Sequence, residues 1–140
     1  MSQRVRFRRG WLVAAAVMAV VAGTACGSSN GSTNPGLTAA ELVGTYDLAS
    51  LTLDNDPPLV PPVATGTLTL ALSTYNVTLN LPSGTQVDSG TWSVSGSTWT
   101  QSSSTQAIQE QGTASLSHDT LTVSLNAAGT QISSVWVKQP

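Results

Sequence analysis

The sequence predicts an all-β domain, namely a small up-and-down antiparallel β-barrel of about eight strands, either fully closed or partly open. From Thr65 onward, apolar and polar residues alternate with a period of two, and short turn-forming segments separate the runs. No helical segment interrupts these runs, so consecutive strands are expected to be antiparallel neighbours. Closure into a barrel removes the exposed edges that an open sheet of this length would have.

The N-terminal segment predicts export. Four arginines lie within residues 1–9, and residues 11–22 form an unbroken apolar run of twelve. Small residues follow at Gly23–Ala25, directly before Cys26. A basic start, a short apolar run and a small-residue cleavage site are typical of a secretory signal peptide, here residues 1–25. The apolar run is shorter than the roughly 17 residues that a membrane-spanning helix requires.

The setting of Cys26 resembles the lipobox of bacterial lipoproteins, with Ala25 and Cys26 as the best-matched positions. The resemblance implies that the Cys26 thiol carries a diacylglycerol and that cleavage falls between Ala25 and Cys26. Ordinary signal cleavage after Ala25, which would release an unmodified secreted chain, is the alternative. Because Cys26 is the only cysteine, it has no partner for an internal disulfide, which favours the lipoprotein.

Residues 26–36 are interpreted as the lipidated cysteine and a flexible Gly/Ser/Asn tether. A ten-residue tether of this composition has a root-mean-square span of about 17 Å. Lipoproteins that stay in the inner membrane of diderm bacteria carry Asp after the cysteine, and this chain has Gly27 there. In a diderm bacterium the resemblance therefore places the lipid in the outer membrane. In a bacterium with one membrane it places the lipid on the outer face of the plasma membrane. The lipid anchor is thus the expected contact with the membrane.

Charge excludes other partners. Once residues 1–25 are set aside, Lys138 is the only lysine or arginine, whereas all seven acidic residues remain. Nucleic-acid binding needs clustered basic residues, so it is not expected. Recruitment to an anionic membrane by a polybasic patch is excluded for the same reason.

The folded part is expected to begin with one helical turn at Leu37–Val43. Thr38 and Glu41 have the spacing of a capping box, and Leu37 and Leu42 are placed as a hydrophobic staple. Gly44 ends the turn, and a strand follows from Thr45 to Leu53. Its apolar positions change phase in the middle, which indicates a β-bulge.

The segment Asp54–Ala64 contains four prolines and is expected to be a loop. Leu59 and Val60, within it, are either exposed or folded inward. Seven further strands are predicted after the loop: Thr65–Leu72, Tyr75–Leu81, Gln86–Val94, Ser97–Ser103, Ala107–Leu116, Thr120–Leu125 and Ile132–Lys138.

Four segments resemble the lipocalin-like, calycin-type domains of bacterial lipoproteins: Leu42–Leu48, Gly90–Thr98, Gly112–Leu121 and Val135–Lys138. In that family a helical turn leads into a strand with Gly-x-Trp, and here Gly44-x-Tyr46 has tyrosine in place of tryptophan. The resemblance implies one lipocalin-like barrel domain over residues 37–140. It also implies a small hydrophobic ligand.

Four aromatic residues are the candidate ligand-pocket residues: Tyr46, Trp92, Trp99 and Trp136. They could stack against an apolar ligand inside the barrel. They could equally fill the core, and this second interpretation is favoured because a barrel of about eight strands has little interior to spare.

No residue pattern predicts catalysis, a metal site or a cofactor. The only histidine, His118, precedes Asp119 in an expected hairpin turn, and Asp54 and Asp56 are expected to solvate a loop. Metal binding needs several converging ligands, and a serine nucleophile needs a base. The sequence therefore favours a non-enzymatic role, and the lipocalin resemblance implies a carrier of a small hydrophobic molecule. The alternative is a structural or protein-interaction module of the cell envelope that presents Asp54–Ala64 or an outer face of the barrel to a protein partner.

Overall fold

The computed structural model describes residues 36–140. The predicted signal peptide, Cys26 and nearly all of the tether lie outside the described residues. Within residues 36–140, no helix is long and apolar enough to cross a membrane.

The domain is a closed barrel of eight antiparallel strands in sequence order, which confirms the predicted fold class. Every strand pairs with the next one along the chain, and the last strand pairs with the first. One short helix precedes the barrel. The elements are α1 (Ala39–Leu42), β1 (Gly44–Leu53), β2 (Thr65–Leu70), β3 (Thr74–Leu81), β4 (Gly84–Ser95), β5 (Thr98–Ser103), β6 (Gln109–Ser117), β7 (Thr120–Ala127) and β8 (Thr130–Lys138).

The predicted capping box is present at α1. The Thr38 backbone N–H donates to Glu41 Oε2 at 2.8 Å, and the Thr38 hydroxyl donates to the same oxygen at 2.7 Å. Leu42 is completely buried, and the Tyr46 hydroxyl donates to its carbonyl at 2.8 Å. The helical turn therefore covers one end of the barrel.

Strand β1 contains the predicted bulge, since its pairing with β8 shifts between Leu48 and Ser50. Beyond Asp47, β1 no longer pairs with β2. The loop fills the gap, because Leu51 and Leu59 exchange two backbone hydrogen bonds of 2.8 Å. Leu59 packs against the core, whereas Val60 is 45% exposed, so the loop folds inward at one of these two residues only.

Two predicted strand boundaries were wrong. Strand β2 ends at Leu70, and Leu72, predicted inside a strand, lies in the following turn with 67% of its surface exposed. Strand β6 begins at Gln109, because Ala107 has a φ of 54°, a left-handed conformation that a strand cannot contain. Most other ends agree within two residues, although β7 and β8 extend toward a tighter hairpin than expected.

The barrel has two ends that differ in packing. At the end covered by α1, the large inward side chains Tyr46, Trp92, Trp99 and Trp136 are almost fully buried, whereas Val94 and Leu116 are half-buried. At the opposite end lie the loop Asp54–Ala64 and the connections at 82–83, 104–108 and 128–129. We call these two parts the closed half and the open half.

Strands β4 and β6 each have a glycine at a close approach to the neighbouring strand. A Cβ atom at Gly90 would lie 1.9 Å from the Ser102 carbonyl oxygen, and one at Gly112 would lie 1.9 Å from the Ser124 carbonyl oxygen. Because no side chain fits there, these glycines allow the sheet to curve enough to close.

Candidate functional site

The four predicted aromatic residues lie in the closed half. Tyr46, Trp92, Trp99 and Trp136 are each at most 4% exposed. Trp92 and Trp99 stack with ring centroids 4.8 Å apart and an interplanar angle of 18°. Stacked rings of this kind contribute beyond the area that they bury. These side chains therefore form the packed floor of the barrel.

Each indole N–H of this floor has an acceptor. Trp92 Nε1 donates to the carbonyls of Ala71 and Thr74 at 2.9 and 3.1 Å. Trp99 Nε1 donates to Gln101 Oε1 at 3.0 Å, and Trp136 Nε1 donates to Ser134 Oγ at 2.9 Å. Gln101 and Ser134 stand one inward position nearer the open end on their strands. The floor thus presents polar groups toward the open half.

Apolar side chains in the open half face inward but are only half-buried. Strand pairing places them on the same face as the buried core residues, and all contact the core cluster. Solvent that reaches an inward side chain of a closed barrel must enter at an open end. We call these residues the apolar cup: Leu53, Leu59, Val77, Leu79, Leu81, Leu125 and Ile132.

Asp88 stands inside the barrel next to the apolar cup, on β4, where it pairs with Val77 of β3. Its carboxylate accepts three hydroxyl hydrogen bonds. Oδ2 accepts from the Tyr75 hydroxyl at 2.6 Å, and Oδ1 accepts from Ser103 Oγ at 2.6 Å and from Thr105 Oγ1. These donors hold the Asp88 side chain in one orientation.

Glu110 is the second inward-facing carboxylate of the open half and lies on β6, paired with Gln101 of β5. Glu110 Oε2 accepts from Gln101 Nε2 at 2.7 Å. The indole of Trp99 can only donate, so it must face Gln101 Oε1, and the Gln101 amide nitrogen is thereby directed at Glu110. Trp99 consequently positions Glu110 through Gln101.

The two carboxylates have pKa values shifted in opposite directions. Burial opposes ionisation of Asp88, yet the hydrogen bonds from Ser103, Thr105 and Tyr75 outweigh it and lower its pKa. Burial raises the pKa of Glu110, and the charge of Asp88 raises it further against the opposing hydrogen bond from Gln101. Burial and the hydrogen bond to Asp88 raise the pKa of the Tyr75 hydroxyl.

Two other polar residues considered in the sequence, His118 and Asp54, do not face the interior of the open half. His118 is exposed in the β6–β7 turn with a φ of 54°. Asp54 Oδ1 accepts from the Gln131 backbone N–H at 2.8 Å, which ties the loop to the start of β8. Among residues 36–140, no group of three or more His, Cys, Asp or Glu side chains is placed to hold a metal ion.

Sequence analysis missed the polar wall formed by Tyr75, Asp88, Gln101, Ser103, Thr105 and Glu110. The period-two pattern contained part of the signal. Asp88 has the same parity as Trp92 on β4, and Glu110 has the same parity as Ala114 on β6. Because residues two apart in a strand point to the same face, the predicted strands β4 and β6 are enough to place both carboxylates on the inner face of the barrel.

Comparison with known proteins supports the fold. No family model and no curated protein matches the sequence. A de novo designed fluorescence-activating β-barrel is similar in structure, with a TM-score of 0.50 and 16% identity over 72% of this chain and 96% of that chain. An uncharacterized protein from Bacteroides eggerthii gives a TM-score of 0.47 and 11% identity over 69% of this chain and 98% of that one. At such identities the similarity to the designed barrel concerns the fold alone.

Proposed function

We propose that this chain is an exported, lipid-anchored lipoprotein whose lipocalin-like barrel binds a small hydrophobic molecule in the apolar cup. The observation that carries the proposal is the contrast between the two halves. In the closed half, four aromatic side chains are at most 4% exposed, and only Val94 and Leu116 of its inward strand residues with apolar side chains are half-buried, whereas seven inward apolar side chains of the open half remain within reach of solvent. Binding sites of this kind are concave and mainly apolar, with a few polar groups that fix orientation.

The anchor follows from the sequence alone, through the arrangement of residues 1–25 and Cys26. Two or three acyl chains on Cys26 would hold the domain at a membrane, since each buried CH₂ contributes about 0.8 kcal/mol. The proposed role is non-enzymatic, in keeping with a sequence that predicts no catalytic group; the one histidine of residues 36–140 is exposed in the β6–β7 turn.

Mass spectrometry of the protein extracted from membranes tests both parts of this proposal. Under denaturing conditions, a mass that corresponds to a chain beginning at acylated Cys26 supports the anchor, and an unmodified chain contradicts it. Under native conditions, an additional small molecule that is lost on denaturation supports the carrier role.

A dye titration tests the cup itself. N-phenyl-1-naphthylamine is apolar, uncharged and more fluorescent when it leaves water. Leu125→Trp extends a large ring into the cup, whereas Asn126→Trp places the same ring on the exposed outer face of β7. The dye is excited at its own absorption wavelength, so that the introduced tryptophans do not act as energy donors. Dye that enters detergent micelles adds the same background fluorescence to every sample.

We expect Leu125→Trp to weaken dye binding at least tenfold and Asn126→Trp to leave it unchanged. Leu125→Trp should also cost little stability, because its ring enters a space that solvent already reaches. Unchanged dye binding in Leu125→Trp, or equal weakening in both variants, would contradict a binding site in the cup.

A second candidate is a protein-interaction module of the cell envelope. Val60 and Val63, on the loop Asp54–Ala64, are 45% and 54% exposed. Apolar residues that stay exposed on a folded loop are typical of contact surfaces when they form a patch. A native mass without any small molecule, together with a protein partner lost in the double variant Val60→Ser and Val63→Ser, would favour this alternative.

A further inference from the structure

The described part of the domain has an uncompensated charge in its open half. Residues 36–140 contain one lysine and no arginine, and that lysine is Lys138. Its Nζ donates to the Glu41 carbonyl at 3.4 Å and lies 5.8 Å from the centre of the Tyr46 ring, which places it at the closed end. Asp88 and Glu110 therefore face the open half without a cation among these residues.

Asp88 supplies a fixed negative charge. Its three hydroxyl donors, Tyr75, Ser103 and Thr105, satisfy both oxygens and favour the ionised form. Because these donors occupy it, Asp88 contributes to the electrostatic potential of the cup rather than to direct contact with an occupant.

Glu110, by contrast, has an oxygen available for contact. Oε2 is held by Gln101, while no donor among the described residues reaches Oε1. In this part of the chain, no fully buried side-chain oxygen lacks a hydrogen-bond partner. Glu110 Oε1 is therefore not fully buried, and Glu110 stands on the inward-facing parity of β6.

Apolar side chains lie close to this carboxylate on the neighbouring inward positions. Glu110 is followed on its own face by Gly112, which pairs with Leu125, and Leu125 pairs with Ile132 on β8. The cup thus joins an apolar surface to a negatively charged rim.

We infer that the occupant of the apolar cup is a cationic amphiphile, an amine or quaternary ammonium with an aliphatic or aromatic body, whose positive group contacts Glu110 Oε1. The inference rests on the proposed function, and the ligand class follows from the negative charges of Glu110 and Asp88, which a cation would complement. A positive headgroup would relieve the repulsion between Glu110 and Asp88, whereas an anionic headgroup such as a fatty-acid carboxylate would add to it.

The raised pKa of Glu110 is consistent with this charge imbalance, since burial and Asp88 both disfavour its ionised form. The titratable side chains that act on Glu110 from other strands of the barrel are Asp88 on β4 and Tyr75 on β3. Beside them, Gln101 on β5 supplies one neutral donor. The inward residues of β7 and β8 next to it are uncharged.

Three ligands with the same decyl chain test this inference: decyltrimethylammonium, 1-decanol and decanoate. Each competes with N-phenyl-1-naphthylamine for the lipidated full-length protein in one neutral detergent. The variants are Glu110→Gln, which removes the charge at constant size, and Asp119→Asn, which removes one acidic charge in the β6–β7 turn at the closed end. Near-ultraviolet circular dichroism checks that the stacked tryptophans remain packed.

We expect the wild type to bind decyltrimethylammonium at least tenfold more tightly than decanoate. Glu110→Gln should reduce this ratio at least fivefold and leave 1-decanol binding unchanged, while Asp119→Asn should leave the ratio as it is. Equal binding of the cation and decanoate by the wild type would overturn the inference and leave the carrier role standing. Failure of all three ligands to displace the dye would overturn the carrier role as well.

Discussion

Asp88 and Glu110 face the same space, but their immediate partners differ. Three hydroxyl groups stabilise the Asp88 carboxylate, whereas a single amide donates to Glu110. Asp88 therefore contributes stability at pH values above its ordinary pKa, and this contribution is lost as the pH falls through its lowered pKa. Glu110 behaves oppositely, because its raised pKa makes ionisation costly as the pH rises.

Asp88→Asn is expected to destabilise the barrel at pH 7 by about 1 to 3 kcal/mol, because the hydroxyls of Tyr75, Ser103 and Thr105 lose a charged acceptor. Urea unfolding between pH 7 and pH 3 would measure this loss. The difference from the wild type should shrink toward the acidic end, where the wild-type carboxylate is itself becoming protonated. A difference that is absent at pH 7, or that grows on acidification, would count against the assigned hydrogen bonds.

Glu110→Gln is expected to be at least as stable as the wild type at pH 7, since it removes a charge that burial and Asp88 disfavour. The two proteins should converge as the pH falls below the raised pKa, because protonated Glu and Gln are similar in size and charge. The same urea series tests this, with Asp119→Asn as the exposed control. A clear loss of stability in Glu110→Gln at neutral pH would mean that the ionised carboxylate is needed for folding.

At the scale of single elements, closure of the barrel depends on β4 and β6 bending at glycine. Gly112→Ala should destabilise the domain by about 1 to 3 kcal/mol, because the new methyl group would meet the Ser124 carbonyl oxygen. Ser115→Ala, on the exposed outer face of the same strand, is the matched control and should change little. Thermal unfolding of the wild type and both variants measures the difference. Equal melting temperatures for Gly112→Ala and Ser115→Ala would contradict the close approach between Gly112 and Ser124.

The loop Asp54–Ala64 is attached to the barrel through Leu59. Leu59→Ser should cost about 1 to 2 kcal/mol from lost burial and should raise the rate of proteolysis within the loop. Val60→Ser, at the exposed neighbouring position, should change neither stability nor cleavage. Limited proteolysis with mapping of the cut sites provides the measurement. Similar cleavage in both variants would show that Leu59 does not hold the loop.

The strands could be predicted because each has its own period-two pattern, and the bulge in β1 was visible as a change of phase between Leu48 and Leu51. The ends of the strands were harder to predict, because Ala107 and Ala128 adopt left-handed backbone conformations that an alanine in the sequence does not indicate. The polar wall depends on contacts across strands: Asp88 and Ser103 are fifteen residues apart in sequence and meet only after β4 and β5 pair.

At the scale of the whole domain, the two halves of the barrel differ in how completely their inward side chains are packed. The closed half contains the stacked Trp92–Trp99 pair, Tyr46 under α1, and Trp136, all with their polar atoms bonded. The open half contains the half-buried apolar cup and two inward-facing carboxylates. Both halves contribute to stability, and the open half in addition keeps inward apolar side chains within reach of solvent.

The central claim is that the open half of the barrel accepts an apolar ligand. Methyl-resolved NMR of the protein during titration with 1-decanol tests it most directly. We expect shifts at the methyl groups of Leu53, Leu125 and Ile132, and none at Leu121 in the floor or at Val87, which is 65% exposed on the outer face. Shifts centred on Val87, or no saturable shift within the cup, would contradict the claim.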